Sequence, residues 1–500
     1  MKQYFKSISI LILGISFFHL FSTVQVYLSN ADLLEALNSA KNAGYLLMPN
    51  LIIMGKLKDI SVAFAGGVFF TLSVGTLTVL LSFLSAVFFF RANIEKKYTL
   101  SIIALFFLVF VILLNINGLC LVETLSFLCV PALVFFLYHS FFRIEKEKPN
   151  AIILASHFIP VVILAVFLFI FSSGASNKIF SDFRDNLLMS NKVGMKINEF
   201  YYDYTLYPAR VFKPYFQRTP KICKIQSDGM SADLKRIEHR LLMNDYLVVN
   251  SEEEPDMVVL KDKNDLRILH KGKTIVKASV NSFISQSDIL LREFSQKTDK
   301  YGYYRQITAL SLKTSFPLFM YVMMHFVLFI AIKPLSLFFK QKKLVPVLAS
   351  TGCLAVGLVT FLFLFLSESY DVSKETLSEV LKSKNVKERI AGLRFVTEQK
   401  LDLSKYTDYD TSFTDNYIPE KYWFARSLGS SRDKKSYDTL LNILGDSNQN
   451  VVCQALYSLG MKRKKEAVPV IVDHINRSED WYVQWYAYRA LKRLRWKQKK

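Results

Sequence analysis

Cysteine is scarce, five in 500 residues. The five stand at Cys120, Cys129, Cys223, Cys353 and Cys453, with no CxxC pair and no Cys/His zinc spacing. A zinc module is thereby excluded. One bridge, Cys223 with Cys453, stays open against simple burial of Cys453 inside a helix. The chain also lacks a glycine-rich phosphate loop, a nucleophile elbow and an HExxH helix. His239 and His270 have Glu238 and Asp265 near them in sequence, which is ordinary surface patterning, and the EEE run at 252–254 reads as a solvated turn. No catalytic residue, metal or cofactor is therefore expected. Acidic residues are the minority charge, 42 against 63 basic, for a net +21. Much of that excess falls in short loops between apolar runs, and acids are interspersed elsewhere, so no nucleic-acid partner is expected. Anionic lipid or a cell-wall polymer are the polyanions such surfaces suit.

What the chain has in abundance is apolar length. Fifty-one per cent of its residues are apolar and 42 are phenylalanine. Seven runs reach the length of a membrane-spanning helix: 7–28, 62–90, 99–117, 119–142, 151–172, 314–333 and 344–366. The first follows Lys2 and Lys6 but is longer than a signal-peptide core and lacks a small-x-small cleavage site, so it reads as an uncleaved anchor. Gly66, Gly67 and Gly75 in the second run suit close helix approach. Arg91, Lys96 and Lys97 crowd one short loop, Arg143, Lys146 and Lys148 the next, and Lys333, Lys340, Lys342 and Lys343 a third, whereas the turn at 115–118 has no Lys or Arg. The positive-inside rule then expects the N-terminus and these loops in the cytoplasm, with 173–313 and the C-terminal region outside the cytoplasmic (inner) membrane. Short loops favour a bacterial envelope.

Between the fifth and sixth runs, SADLKRIEHRLL (231–242) is an amphipathic helix capped by Ser231, and YLVV (246–249), DMVVL (256–260), LRILH (266–270) and TIVKASV (274–280) are short strands. SDILLREFSQ (287–296) is helical again. The aromatic segment FYYDYTLYPARVFKPYF (200–216) settles at a membrane interface, packs under this domain or lines a ligand cleft. LIIMGKL (51–57) reads as interfacial.

The last 130 residues repeat themselves. VVCQALYSLG (451–460) returns as VQWYAYRALK (483–492), so Val451, Ala455 and Leu459 fall on Val483, Ala487 and Leu491 at an offset of 32. SYDTLLNIL (436–444) matches AVPVIVDHI (467–475) at an offset of 31. A period near 30 with two short amphipathic helices per unit marks an α-solenoid of about three and a half units, a class built to hold other molecules. KETLSEVLKSKNVKERIAGLRFV (374–396) is a further two-helix unit, and the polar stretch 401–420 is a long loop.

SLGSSRDKKSYDTLLNILGDSNQNVVCQALYSLG (427–460) resembles HEAT-like repeats of the short phycobilisome-lyase type, in its leucine-glycine helix end, aliphatic first helix, GDSN turn and spaced valine and alanine. The resemblance covers roughly 372–496. It implies a solenoid used as a scaffold or partner-recognition module and, in a minority of relatives, a chromophore-lyase subunit. Asn450 and Gln454 stand where the family often carries the charges that knit neighbouring repeats.

The expected fold is mainly α: a polytopic helical membrane protein of about seven spans. Residues 1–172 form a membrane domain of five spans, 173–313 an extracytoplasmic α/β insertion, 314–366 two further spans, and 367–500 the HEAT-like solenoid. Within the solenoid, the helix DWYVQWYAYRALKRLRW (480–496) sets Val483, Ala487, Ala490 and Leu494 on one face. Trp481, Trp485, Tyr488, Lys492 and Trp496 lie on the other, with Arg489 at its edge. Indole interleaved with Lys and Arg marks either a recognition surface for a protein partner or envelope polymer, or internal packing. Among the spans, Glu123 is a polar candidate for an ion or proton path, near enough to one end of its helix to reach water. Met320, Met323, Met324 and His325 fan around their helix as a packing stripe rather than converge as ligands, and His139 with His157 reads as hydrogen bonding between helices.

Overall fold

The apolar runs fold as helices, since side chains without donors or acceptors leave the backbone to pair with itself. In the computed structural model of the chain, residues 2–91, 95–142, 159–167, 169, 181–227, 232–250, 255–334, 344–365, 370–408 and 417–498 are described. Ser231, His157, the 252–254 run, most of 151–172 and the middle of the 401–420 loop lie outside them. The chain divides into two units. The first comprises Met1–Leu28, Ile60–Phe183 and Asp299–Ser367; the second comprises Ser29–Asp59, Arg184–Thr298 and Glu368–Lys500.

The first unit is helical among its described residues. Among the described residues, five helices are long and apolar enough to cross a membrane: Tyr4–Asn42, Ile60–Phe90, Lys96–Asn115, Leu121–Phe141 and Gly302–Ile332. Leu344–Thr360 is a shorter apolar helix. Residues to Leu28 of the first belong to this unit. Ile60–Phe90 contains a π-helical turn, Thr71–Gly75. A Cβ at Gly67 would stand 3.1 Å from the Thr23 backbone nitrogen, so glycine is what allows this helix to lie so close to the first. The hydroxyls of Thr71, Ser73 and Thr78 donate to carbonyls four residues back, which satisfies them in an apolar setting.

The second unit joins a mixed sheet to a helical repeat. Its strands are β1 (Lys221–Ser227), β2 (Tyr246–Val248), β3 (Val258–Asp262), β4 (Asp265–His270) and β5 (Lys273–Ser279), in the order β2-β1-β3-β4-β5. β1 runs parallel to β2 and β3, and β3, β4 and β5 are antiparallel. Lys271 and Gly272, both at positive φ, make the two-residue turn from β4 to β5. Helices Ala232–Met243 and Val280–Lys297 supply Ile237, Leu241, Phe283, Leu291 and Phe294 to the core against this sheet. β1 is a strand the sequence pattern did not reveal.

The repeat helices are Leu377–Leu381, Val386–Glu398, Ile418–Ser427, Lys434–Ile443, Gln449–Lys462, Val468–Arg477 and Trp481–Arg493. Asn385, Asp433, Asn448 and Asp480 each cap the helix that follows. Ala455, Leu459, Val483, Ala487 and Leu491 enter one continuous core, and Val451 is buried. Polar pairs join successive units. Arg389 meets Glu420 through Nε to Oε1 at 2.5 Å and Nη2 to Oε2 at 3.0 Å, and Arg426 donates to Gln454 Oε1 at 2.8 Å. Gln454 thus links neighbouring units as an uncharged partner. Cys223 and Cys453 are free thiols buried in different cores, so the bridge between them is not formed.

Candidate binding surface of the repeat unit

The last helix carries the aromatic face that the sequence singled out, and most of that face is turned inward. Trp481 is 7% exposed, and its Nε1 donates to the Tyr202 carbonyl at 2.8 Å. Tyr488 is 4% exposed, and its hydroxyl donates to Asp245 Oδ1 at 2.6 Å. Burial first, and the Asp245 carboxylate second, hold that phenol well above its usual pKa. Lys492 pairs with the same Asp245 oxygen at 2.7 Å and donates to the Met243 carbonyl at 3.0 Å. Trp485 is half-buried under the Lys213 ammonium, 4.6 Å from the ring centroid. Trp496 packs half-buried against the repeat core, and Arg489 alone of the six is exposed. Of the two readings of this face, these contacts are those of internal packing for Trp481 and Tyr488, while Trp485 and Trp496 stay half-buried. Segments of the same unit cover them, because that face offers indole area that the chain's own aromatic stretch can bury.

Three such segments dock on the repeats. Tyr202, on the helix Lys192–Tyr204, packs against Tyr482 with the rings tilted by 35° and their centroids 4.3 Å apart. The π-helical turn Arg184–Leu188 places Asp185 under Trp423, whose Nε1 donates to Asp185 Oδ2 at 2.6 Å, and Arg394 pairs with the same oxygen. Arg184 lies over the Tyr422 ring at 4.0 Å. The third segment is pinned by Asn50, whose backbone N–H donates to Gln484 Oε1 at 2.9 Å. Its side-chain amide reaches the carbonyls of Ile475, Asn476 and Ser478 at 2.9, 3.0 and 2.9 Å. Asn50 also caps the short helix Leu51–Lys56. The aromatic 200–216 segment thus packs within its own unit.

A different edge of the repeats is charged and open. Arg432, Lys434, Lys435, Arg463 and Lys465 are exposed around two successive junctions. The junctions adjoin: Lys462 Nζ reaches the Ser431 carbonyl and the Ser436 hydroxyl, and Lys464 lies over Tyr437 at 4.6 Å. Lys435 pairs with Asp408 at 3.2 Å. The sequence displays this edge only as KRKK at 462–465 and RDKK at 432–435, runs that look like any solvated turn.

In the first unit, Glu123 is 4% exposed and does not reach water as expected. Gln25 Nε2 donates to its Oε1, and the Tyr304 hydroxyl donates to Gln25 Oε1 at 3.1 Å. Three helices distant in sequence thus meet through the Gln25 amide, a junction no spacing in the sequence reveals. His325 is hydrogen-bonded to Tyr4, and its Nε2 lies 3.3 Å from the Pro346 carbonyl. Among the described residues, no group of three or more His, Cys, Asp or Glu side chains is arranged to hold a metal ion.

No curated protein and no solved structure matches the chain. Residues 414–492, which include the basic edge and all but the final residue of the last helix, match the family of HEAT repeats.

Proposed function

We propose that this chain is a multi-pass membrane scaffold or recognition protein, with its second unit outside the cytoplasmic membrane and its repeats docking a partner protein or an envelope component. One observation carries the reading. Three segments separated by apolar helices, Ser29–Asp59, Arg184–Thr298 and Glu368–Lys500, fold into one unit. Segments of one unit lie on one side of any membrane, so an even number of crossings separates each from the next. The runs at 62–90, 99–117, 119–142 and 151–172 supply four crossings, and those at 314–333 and 344–366 supply two. Seven spans satisfy that parity, and the basic short loops orient the unit outward. Ile102, Leu105 and Phe136 are 63%, 61% and 66% exposed, which suits a lipid-facing surface.

HEAT repeats in general mediate protein–protein interaction. We assign these to the short phycobilisome-lyase type and read them as scaffold. Since the indole face is used within the unit, the basic edge is the surface for a partner, and its charge selects an acidic one. Crosslinking and affinity purification from native membranes, wild type beside Lys434→Glu/Lys465→Glu, tests this. A stoichiometric partner lost on charge reversal supports it; an unchanged set of captured proteins rejects it.

A second reading, a transporter or a subunit of a membrane transport or enzyme complex, draws on the buried Glu123–Gln25–Tyr304 junction. Replacing the first six spans and their loops with one inert anchor separates the two. A scaffold keeps part of its function, and a transporter loses all of it.

A further inference from the structure

The helix Lys192–Tyr204 turns its small and polar side inward and its apolar side out. Its buried residues are Gly194 and Asn198. A Cβ at Gly194 would collide with the Leu187 carbonyl, which fixes that side against the chain. Tyr202, on the same side, packs against Tyr482, and its carbonyl accepts from Trp481 Nε1 at 2.8 Å. A 3.6-residue period puts Val193, Ile197, Phe200 and Tyr201 together on the other side, in an arc of roughly 100°. These four are 70%, 57%, 45% and 56% exposed.

Single apolar side chains on a surface are ordinary. Four at i, i+4, i+7 and i+8 on one helix form a contiguous stripe, which marks a surface that something covers. Lys192, Lys196, Glu199 and Asp203 are the charges of this helix, all exposed, and they balance. No polyanion is selected; what the stripe matches is hydrocarbon.

A second short helix of the same unit does likewise. Leu51–Lys56 exposes Leu51 and Ile52 at its start, 55% and 40%. The two helices are neighbours, since the Lys56 charge acts on Asp203 and the Asp59 charge on Tyr207. Lys56 stands four positions before Ile60, where an apolar helix of membrane-crossing length begins. Four residues of chain reach at most about 14 Å. The C-terminal end of Lys192–Tyr204 is thus tied, through Lys56, to the stretch of chain that enters the bilayer.

We propose that Lys192–Tyr204 is an in-plane membrane helix, with Val193, Ile197, Phe200 and Tyr201 immersed at the boundary of lipid headgroups and acyl chains. Because Tyr202 on its inner side holds the last repeat helix, immersion sets that end of the repeats at the membrane surface. The inference rests on the reading of the apolar helices as spans.

The test adds one tryptophan at a time to the full chain: Val193→Trp, Ile197→Trp and Phe200→Trp on the stripe, and Glu199→Trp as the control on the same helix. Ile102→Trp, in the apolar helix Lys96–Asn115, reports the spans. Each protein whose melting temperature in detergent matches wild type is reconstituted into phosphatidylcholine vesicles, plain or brominated near the headgroup end of the acyl chains. The emission added to that of wild type is then compared. The stripe variants are expected to lose roughly half or more of it to bromine and Glu199→Trp much less, since an interfacial helix buries only its apolar face. Quenching at Ile102→Trp with none on the stripe, or equal quenching at Glu199→Trp, overturns the inference and leaves the spans standing. No quenching at Ile102→Trp overturns the reading on which it rests. In native membranes, a benzophenone side chain in place of Ile197 is expected to give a lipid adduct; a protein adduct assigns the stripe to a partner and overturns the inference.

Discussion

Replacing Trp481 with alanine distinguishes an indole used for internal packing from one presented to a partner. The side chain is 7% exposed. Burying roughly 200 Å² of indole at about 25 cal/mol/Å² is worth about 5 kcal/mol, close to the ~3–5 kcal/mol range for large aromatic truncations in a core. Part of that is a hydrogen bond, because the Tyr202 carbonyl loses its 2.8 Å donor. Trp481→Phe isolates this component and is expected to cost about 1–2 kcal/mol. Trp496, half-buried at the chain's end, is expected to cost less than Trp481 on truncation. The assay is thermal unfolding of the purified chain in detergent, followed by near-ultraviolet dichroism and by proteolysis within 190–216. Trp481→Ala is expected to lower the melting temperature by roughly 5–15 °C and to expose the 192–204 helix to cleavage. An unchanged melting temperature with lost partner capture would refute the packing argument and return this face to recognition.

Other consequences follow from single contacts. Glu420→Gln leaves the Arg389 guanidinium buried without its counter-charge and is expected to cost about 3–5 kcal/mol in denaturant unfolding, whereas the double change to methionine recovers most of it. Asn50→Ala removes a cap and the amide shared by three carbonyls, an expected loss of about 2–3 kcal/mol, read as faster hydrogen exchange over 475–484. Lys221 is buried in β1, and burial drives its ammonium down to about 8, while an unfolded lysine titrates near ~10.4. Between those values the unfolded chain holds the extra proton, so stability rises with pH across that window and the full penalty is present below pH 8. Lys221→Met is expected to flatten that rise in melting temperature measured from pH 7 to pH 10, and an identical slope would show that another group sets it.

The repeat was legible because its information is local. Val451, Ala455 and Leu459 recur at helical spacing, and a 3.6-residue period places them inward whatever surrounds them. Long apolar runs declare helices for the same reason. Strand β1 escaped because KICKIQS carries two lysines, and Lys221 reads as solvent-facing. It is buried because its ammonium donates to the Phe216 carbonyl at 2.8 Å and lies over Tyr246, partners supplied by other segments.

From the sequence alone came the helical periods and the apolar lengths, each a property of residues within a few turns of each other, and the repeat spacing, which is those periods recurring along the chain. Tertiary structure decided what covers what. The aromatic face of the last helix is symmetric between solvent and packing until Tyr202, Asn50 and Asp245 arrive, and those lie 243 or more positions away in the chain. Helical spacing says which side chains share a face; burial depends on the surface that meets that face, and no local pattern encodes it.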